Sequence, residues 1–149
     1  MTHDNGARLS PQELEIYLQL GLTARLACLD GRGWPYIVPI WHHWDGERFW
    51  IIASKGARWA QYLLESPRVA LSIDEPETVT RVLCKGLARH IEGPVLEGRW
   101  VSIALQMAER YMGADMVATY QINTAGMERW LFAVEVETLI SWRGPGNTN

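Results

Sequence analysis

Apolar residues recur at helical spacing in four stretches of the chain and at strand-like spacing through most of the rest. Near the start, Ser10-Pro11-Gln12-Glu13 has the form of a capping box, with Ser10 as N-cap, Pro11 at the first helical position and Glu13 reaching back. Leu14, Tyr17 and Leu18 then share one helical face, and Gly21 reads as the helix stop. From Thr23 the pattern changes to partial alternation over residues 23–29, followed by the turn cluster Asp30-Gly31-Arg32-Gly33. Residues 36–44 are rich in the β-branched and aromatic types that strands prefer. Asp45-Gly46 is a hairpin signal, and Phe49-Trp50-Ile51-Ile52 is its return strand. A three-stranded meander over residues 23–54 is the expectation.

Ser54-Lys55-Gly56-Ala57 leads into a second helix, whose apolar face carries Trp59, Tyr62 and Leu63 and which ends at Ser66-Pro67. A strand follows over residues 69–73, then the polar loop Asp74-Glu75-Pro76-Glu77 and a long strand over residues 78–91. Gly86 inside that strand marks a bulge or a close backbone approach. Gly93-Pro94 is expected to break the chain. Val101, Leu105 and Ala108 stripe a third helix that Gly113 closes, residues 115–120 suggest a short fourth, and residues 129–142 form a final long strand. The pattern gives a mainly β, α+β fold of about six strands and three to four helices in a single domain over residues 1–149, with residues 1–9 and 144–149 flexible. Tight turns make the sheet antiparallel. Six such strands either form a sandwich or close into a barrel.

Composition narrows the class. The chain has 149 residues, 48% of them apolar and 21% charged, which is globular rather than disordered. A net charge of -3 argues against a non-specific nucleic-acid binder. No apolar run approaches the roughly 20 residues of a membrane span, and the polar start lacks the apolar segment of a signal peptide, so the expectation is a cytoplasmic protein. Cys28 and Cys84 are too few for a disulfide framework and read as buried small hydrophobes. Eight tryptophans supply large flat surfaces, for a core or for a flat ligand.

Particular residues at the joints of these elements resemble the FMN-binding split-barrel superfamily of pyridoxamine 5′-phosphate oxidases and flavin/deazaflavin oxidoreductases. Leu26-Ala27-Cys28-Leu29-Asp30-Gly31-Arg32-Gly33-Trp34-Pro35 is similar to its first strand and hairpin turn, and Val38-Pro39-Ile40-Trp41 with Trp44-Asp45-Gly46 to the next. Ile52-Ala53-Ser54-Lys55-Gly56-Ala57-Arg58 resembles the strand and helix start that hold the cofactor phosphate. Ser66-Pro67-Arg68-Val69-Ala70-Leu71, Lys85-Gly86-Leu87-Ala88, Arg110-Tyr111-Met112-Gly113 and Leu139-Ile140-Ser141-Trp142 complete the series, which covers roughly residues 9–143. The resemblance implies a six-stranded antiparallel split β-barrel that dimerises, binds FMN at the subunit interface and performs two-electron redox chemistry on a small organic substrate.

A flavin phosphate needs donors and positive charge at a fixed place, and a helix N-terminus supplies both. Ser54, Lys55, Ala57 and Arg58 lie where a strand runs into a helix, and Arg58 is the favoured contact because its planar fork matches phosphate oxygens. Lysine and arginine at such a joint are otherwise solvated loop charges. The isoalloxazine ring needs an apolar slot and backbone groups along its polar edge. The resemblance puts Val38, Pro39, Ile40, Trp41 and His42 along that edge, with Ile52 and Ala53 beside it. Pro39 has no N–H, which leaves the backbone of Val38 and Ile40. Trp41, or Trp142 from the partner chain, would stack near the ring, and both tryptophans also suit ordinary packing.

His42-His43 invites a metal reading, but adjacent strand residues point to opposite faces, so one ring is expected inward and one outward and no metal site is implied. No serine–histidine–carboxylate arrangement is evident, which is compatible with chemistry carried by a cofactor. The chain ends in Arg143-Gly144-Pro145-Gly146-Asn147-Thr148-Asn149, without the arginine-rich segment with which pyridoxamine 5′-phosphate oxidases hold pyridoxal phosphate. The resemblance therefore implies the fold and the cofactor class rather than the vitamin B6 reaction. Smaller relatives use FMN, the deazaflavin F420 or haem. Trp59 follows Arg58 where some F420-type relatives carry another base, which favours FMN. The alternatives are an F420-dependent reductase and a flavin- or haem-binding protein without turnover.

Overall fold

The computed structural model describes residues 8–144. The expected flexible ends therefore lie mostly outside the described residues, but Leu9 does not belong with them: it is buried in the core. Ser10 Oγ accepts the Glu13 N–H at 3.2 Å, and Glu13 Oε2 accepts the Ser10 N–H at 2.8 Å. This capping box starts α1 (Pro11–Leu18). Leu9 and Leu14 hold the two staple positions on either side of the cap, and both join the core. The helix stops at Leu18, before Gly21. Gly21 serves packing instead, since a Cβ there would come within 2.5 Å of the Arg110 carbonyl oxygen.

The strands are β1 (Ala24–Leu29), β2 (Pro35–Ile40), β3 (His43–Trp44), β4 (Arg48–Ser54), β5 (Arg68–Glu75), β6 (Thr80–Val95) and β7 (Arg129–Trp142). They form one antiparallel sheet in the order β2-β1-β5-β6-β7-β4-β3. The described residues hold seven strands rather than six, because the run expected as one strand over residues 36–44 is divided at Trp41-His42. The expected meander is not formed either: β2 pairs with β1, whereas β4 pairs with β3 and β7. Both differences have one cause. β2 and β3 are the two edges of the sheet, and the two-residue link between them reaches only about 10 Å. The edges must meet there, so the sheet rolls into a split barrel.

Alternation along β1, β5 and the first half of β6 sends Leu26, Leu71, Ile73 and Val82 inward to the main core, which Trp59, Ala60 and Leu63 of α2 (Arg58–Glu65) also enter. β4 and the first half of β7 read as continuous apolar runs because they are buried on both faces. Phe49, Ile51, Phe132 and Val134 face the barrel, while Trp50, Leu131 and Ala133 face α3 (Arg99–Met112) through Trp100 and Ala104. A one-turn 3₁₀ helix over Ala114–Met116 and α4 (Val117–Thr124) return the chain to β7. At Gly86 both expected features occur. The β6–β7 register shifts between Lys85 and Gly86, and a Cβ at Gly86 would lie 2.2 Å from the Glu135 carbonyl oxygen. Gly93-Pro94 does not break the chain, since β6 continues to Val95 through an irregular register, with His90 Nε2 hydrogen-bonded to the Gly93 carbonyl at 2.9 Å.

Candidate functional site

Where β2, β4, α2 and α3 come together, they enclose an open cleft of about 300 Å³. β2 and the link after it contribute Pro39, Ile40 and Trp41; β4 contributes Ile52, Ala53 and Ser54; the start of α2 contributes Ala57 and Trp59. Eight of the thirteen residues singled out in the sequence thus line one cavity. Met107 of α3, Tyr120 of α4 and Arg129 at the start of β7 complete the wall.

Arg129 gives the cleft its charge. Its Nη1 donates to Ser54 Oγ at 2.7 Å, its Nη2 lies 3.3 Å from the Met127 sulfur, and its Nε is buried with no partner. The adjacent start of α2 is also open to an anion. Its N-cap is Ala57, no side chain caps its first N–H groups, and its first turn has no acidic residue. A hydroxyl, a guanidinium with an unused buried donor and an uncapped helix start therefore converge at one end of the cleft. The rest of the lining is mostly apolar.

Trp41 forms the flat wall and is held by two tyrosines. Its ring stacks on Tyr111 at 4.9 Å and 10°, and Tyr120 lies tilted at 5.9 Å. Tyr111 is itself fixed, donating to the Leu22 carbonyl at 2.8 Å and accepting from the His42 N–H at 3.1 Å. Burial pushes its hydroxyl up to about 12, so it stays a neutral donor. Burial likewise raises the Tyr120 hydroxyl, against the opposing charge of Arg129. β2 is an edge strand, so one row of its backbone groups is left unpaired by the sheet.

Five of the residues singled out do not line the cleft. Val38 packs against the core from β2. His42 is completely buried, with its ring edge-on to Phe49 and Tyr111 and both ring nitrogens without a partner. Burial, with the charges of Arg110 and His43, lowers it to about 4. His43 is half-buried and its Nδ1 lies 3.3 Å from Arg110 Nη1, so the two rings do point apart. Lys55 is exposed and its Nζ is ion-paired with Glu128. Arg58 is exposed at the first position of α2. Trp142 lies at the far end of β7 from Arg129, with Arg81 over its ring at 5.8 Å.

The residue that sequence reasoning missed is Arg129. Nothing in its neighbourhood in the sequence resembles a phosphate loop. Its place follows from the β4–β7 register, which sets Arg129 opposite Ser54. Cys28 and Cys84 are free and buried, as expected, and burial pushes the Cys84 thiol up to about 11. No helix among the described residues is long and apolar enough to cross a membrane.

The split-barrel fold agrees with the chain's relatives. The pyridoxamine 5′-phosphate oxidase family is matched over residues 10–143, and the chain belongs to that family. Among solved structures it is similar to an F420 reductase, with 21% identity, a TM-score of 0.65, and coverage of 84% of this chain and 94% of that one. It is similar to a conserved hypothetical protein from Mycobacterium tuberculosis, with 21% identity, a TM-score of 0.71 and coverage of 96% and 89%. It is similar also to the heme storage protein HutZ from Vibrio cholerae, with 23% identity, a TM-score of 0.67 and coverage of 91% and 96%. At these identities the likeness establishes the fold. No curated protein sequence matches the chain.

Proposed function

We propose that this chain is a flavoprotein oxidoreductase that binds FMN in the cleft between β2, β4, α2 and α3. The observation that carries the reading is the Arg129 guanidinium, with a buried and unpartnered Nε, set beside Ser54 and an uncapped helix start at one end of an apolar cleft. That end suits a phosphate, which accepts charge-assisted hydrogen bonds from all three. Trp41, Ile40 and Ile52 suit a flat ring, and the edge backbone of β2 suits its polar rim. Bound there, FMN supplies two-electron transfer to and from a small organic molecule. The protein's part is to anchor the phosphate, flatten the ring against Trp41 and keep water from one face.

In this reading the active form is a homodimer. On the outer face of the sheet, Ile37, Leu83 and Ile140 are 68%, 42% and 53% exposed. Leu83 and Ile140 are paired in register across β6 and β7, and Trp142 lies further along the same face. An apolar sheet face of this kind favours a partner, and a partner's Trp142 would then close the open side of the cleft.

The F420 reading rests on Lys55 and Arg58, exposed cations close to the cleft that suit the polyanionic tail of that cofactor. The haem reading lacks a ligand: among the described residues no histidine lines the cleft, and His42 is sealed in the core. The test is an absorbance titration of the purified protein with FMN, F420 and haemin, with tryptophan quenching as a second signal and light scattering for mass. Saturation by FMN at one per chain in a dimer is expected. Tighter binding of F420 or haemin, or no binding of any of the three, would overturn the assignment.

A further inference from the structure

A second and larger cavity, of about 550 Å³, lies between α3 and α4 on the other side of Tyr120. Its volume falls within the roughly 300–1,000 Å³ of small-molecule sites. Trp100, Val101, Ala104 and Leu105 of α3 form its apolar floor, and Gln121 and Thr124 of α4 add amide and hydroxyl groups. Among the described residues no lysine, arginine or histidine lines it, and Glu97 is the one acidic residue that does. The nearby start of α3 is not available to an anion either. Its N-cap is Gly98, and the Glu92 carboxylate has taken the cap's place by accepting the Trp100 N–H at 2.7 Å.

We infer that the α3–α4 cleft is a second ligand site, which takes a planar apolar molecule that is neutral or cationic and rejects anions. Glu97 in the wall, the Glu92 carboxylate at the adjacent start of α3 and the lack of a lining cation among the described residues make an anion doubly unfavourable, because it would lose its hydration and meet like charge. The apolar lining from α3 and the ring of Tyr120 suit an aromatic ligand, and the polar groups of α4 suit one hydroxyl or amino substituent. This inference does not depend on the identity of the cofactor in the neighbouring cleft.

Three naphthalenes of one shape test it: 2-naphthylmethanol, 2-naphthylmethylamine (a cation at pH 7) and 2-naphthoate, titrated calorimetrically into the full chain. The alcohol and the amine are expected to bind at one per chain, and the carboxylate at least tenfold more weakly. Amide resonances of Thr124, Ala125 and Gly126 should shift on binding, while those of Ser54 and Ala57 stay in place. Ala125→Trp, at an exposed position on the cavity wall, should raise the dissociation constant for the alcohol at least tenfold, and Gln121→Trp gives an independent block should the first variant fold poorly. Equal binding of the carboxylate, shifts confined to Ser54 and Ala57, unchanged affinity in folded blocking variants, or no binding of the alcohol and amine up to millimolar concentration would each overturn the inference.

Discussion

The cleft beside α2 and the cleft between α3 and α4 both touch the Tyr120 side chain, and each lies beside the start of a helix. They differ in what has already been done with that start. At α2 the N-cap is an alanine, no carboxylate approaches, and Arg129 adds a full positive charge. At α3 the Glu92 carboxylate, folded back from β6, already accepts the Trp100 N–H before any ligand arrives. The comparison shows that a helix dipole by itself does not define an anion site. The decision lies with whichever side chain a different element delivers to that place.

The largest effect expected from disturbing this arrangement concerns the wall of the cleft beside α2. Trp41 stacks on Tyr111, and Tyr111 holds the backbone of His42, whose imidazole is sealed in the core. Burial and the neighbouring Arg110 and His43 lower His42 from 6.5 to about 4, so the native state holds it neutral while the unfolded chain protonates it near 6.5. Its contribution to stability is complete above pH 6.5 and is lost as pH falls toward 4, by about 3 kcal/mol at most. Urea unfolding at pH 7 and pH 4.5 should show this loss in the wild type and a much flatter dependence in His42→Phe. An identical pH dependence in the two proteins would rule His42 out as the cause. Among the described residues no histidine lines the α3–α4 cleft, which has no counterpart to this effect.

Next in size is Arg129→Ala. Removing the guanidinium takes away charge-assisted donors worth roughly 1.5–3 kcal/mol, so FMN affinity should fall about 10- to 100-fold. Naphthyl-alcohol binding in the other cleft should stay within a factor of two. Fluorescence titration of both ligands checks the pair of outcomes. A parallel loss at both sites would mean that Arg129 supports the fold around Tyr120 rather than the phosphate.

The sequence carries much of this molecule, and what it hides has physical reasons. The capping box at Ser10, the helix ended by Ser66-Pro67 and the full extent of β7 are local, each set by residues a few positions apart, and the glycine at Gly86 marks a bulge locally even though its cause is the Glu135 backbone. The division at Trp41-His42 is not local. It follows from barrel closure, which fixes the distance between two sheet edges, and no pattern within residues 36–44 records that constraint. The same reason explains why Arg129 was missed while Ser54 was found. Ser54 sits in a recognisable strand-to-helix joint, but the partner of its hydroxyl arrives through a strand pairing 75 residues away in the chain. The cations that looked exposed to a ligand in the sequence, Lys55 and Arg58, lie outside the lining.

That difference sets up the smallest effect, which separates cations in the cleft from cations near it. Lys55 is 61% exposed at its side chain and already paired with Glu128, itself 38% exposed, and a surface pair of this kind is worth up to about 1 kcal/mol. Glu128→Gln should free Lys55 and remove a nearby negative charge, so FMN affinity should rise two- to fivefold at low salt and return to the wild-type value as salt screens the charge. Arg58→Ala should lower affinity by a similar small factor with the same salt dependence, since the exposed Arg58 acts through solvent. The loss in Arg129→Ala, by contrast, should persist at high salt, because the Arg129 Nε is buried. Titrations of the three variants at 20 mM and 500 mM salt make the distinction. If Arg58→Ala shows the large, salt-insensitive loss and Arg129→Ala the small one, the phosphate sits on the outside of the α2 start, and the cleft holds only the ring.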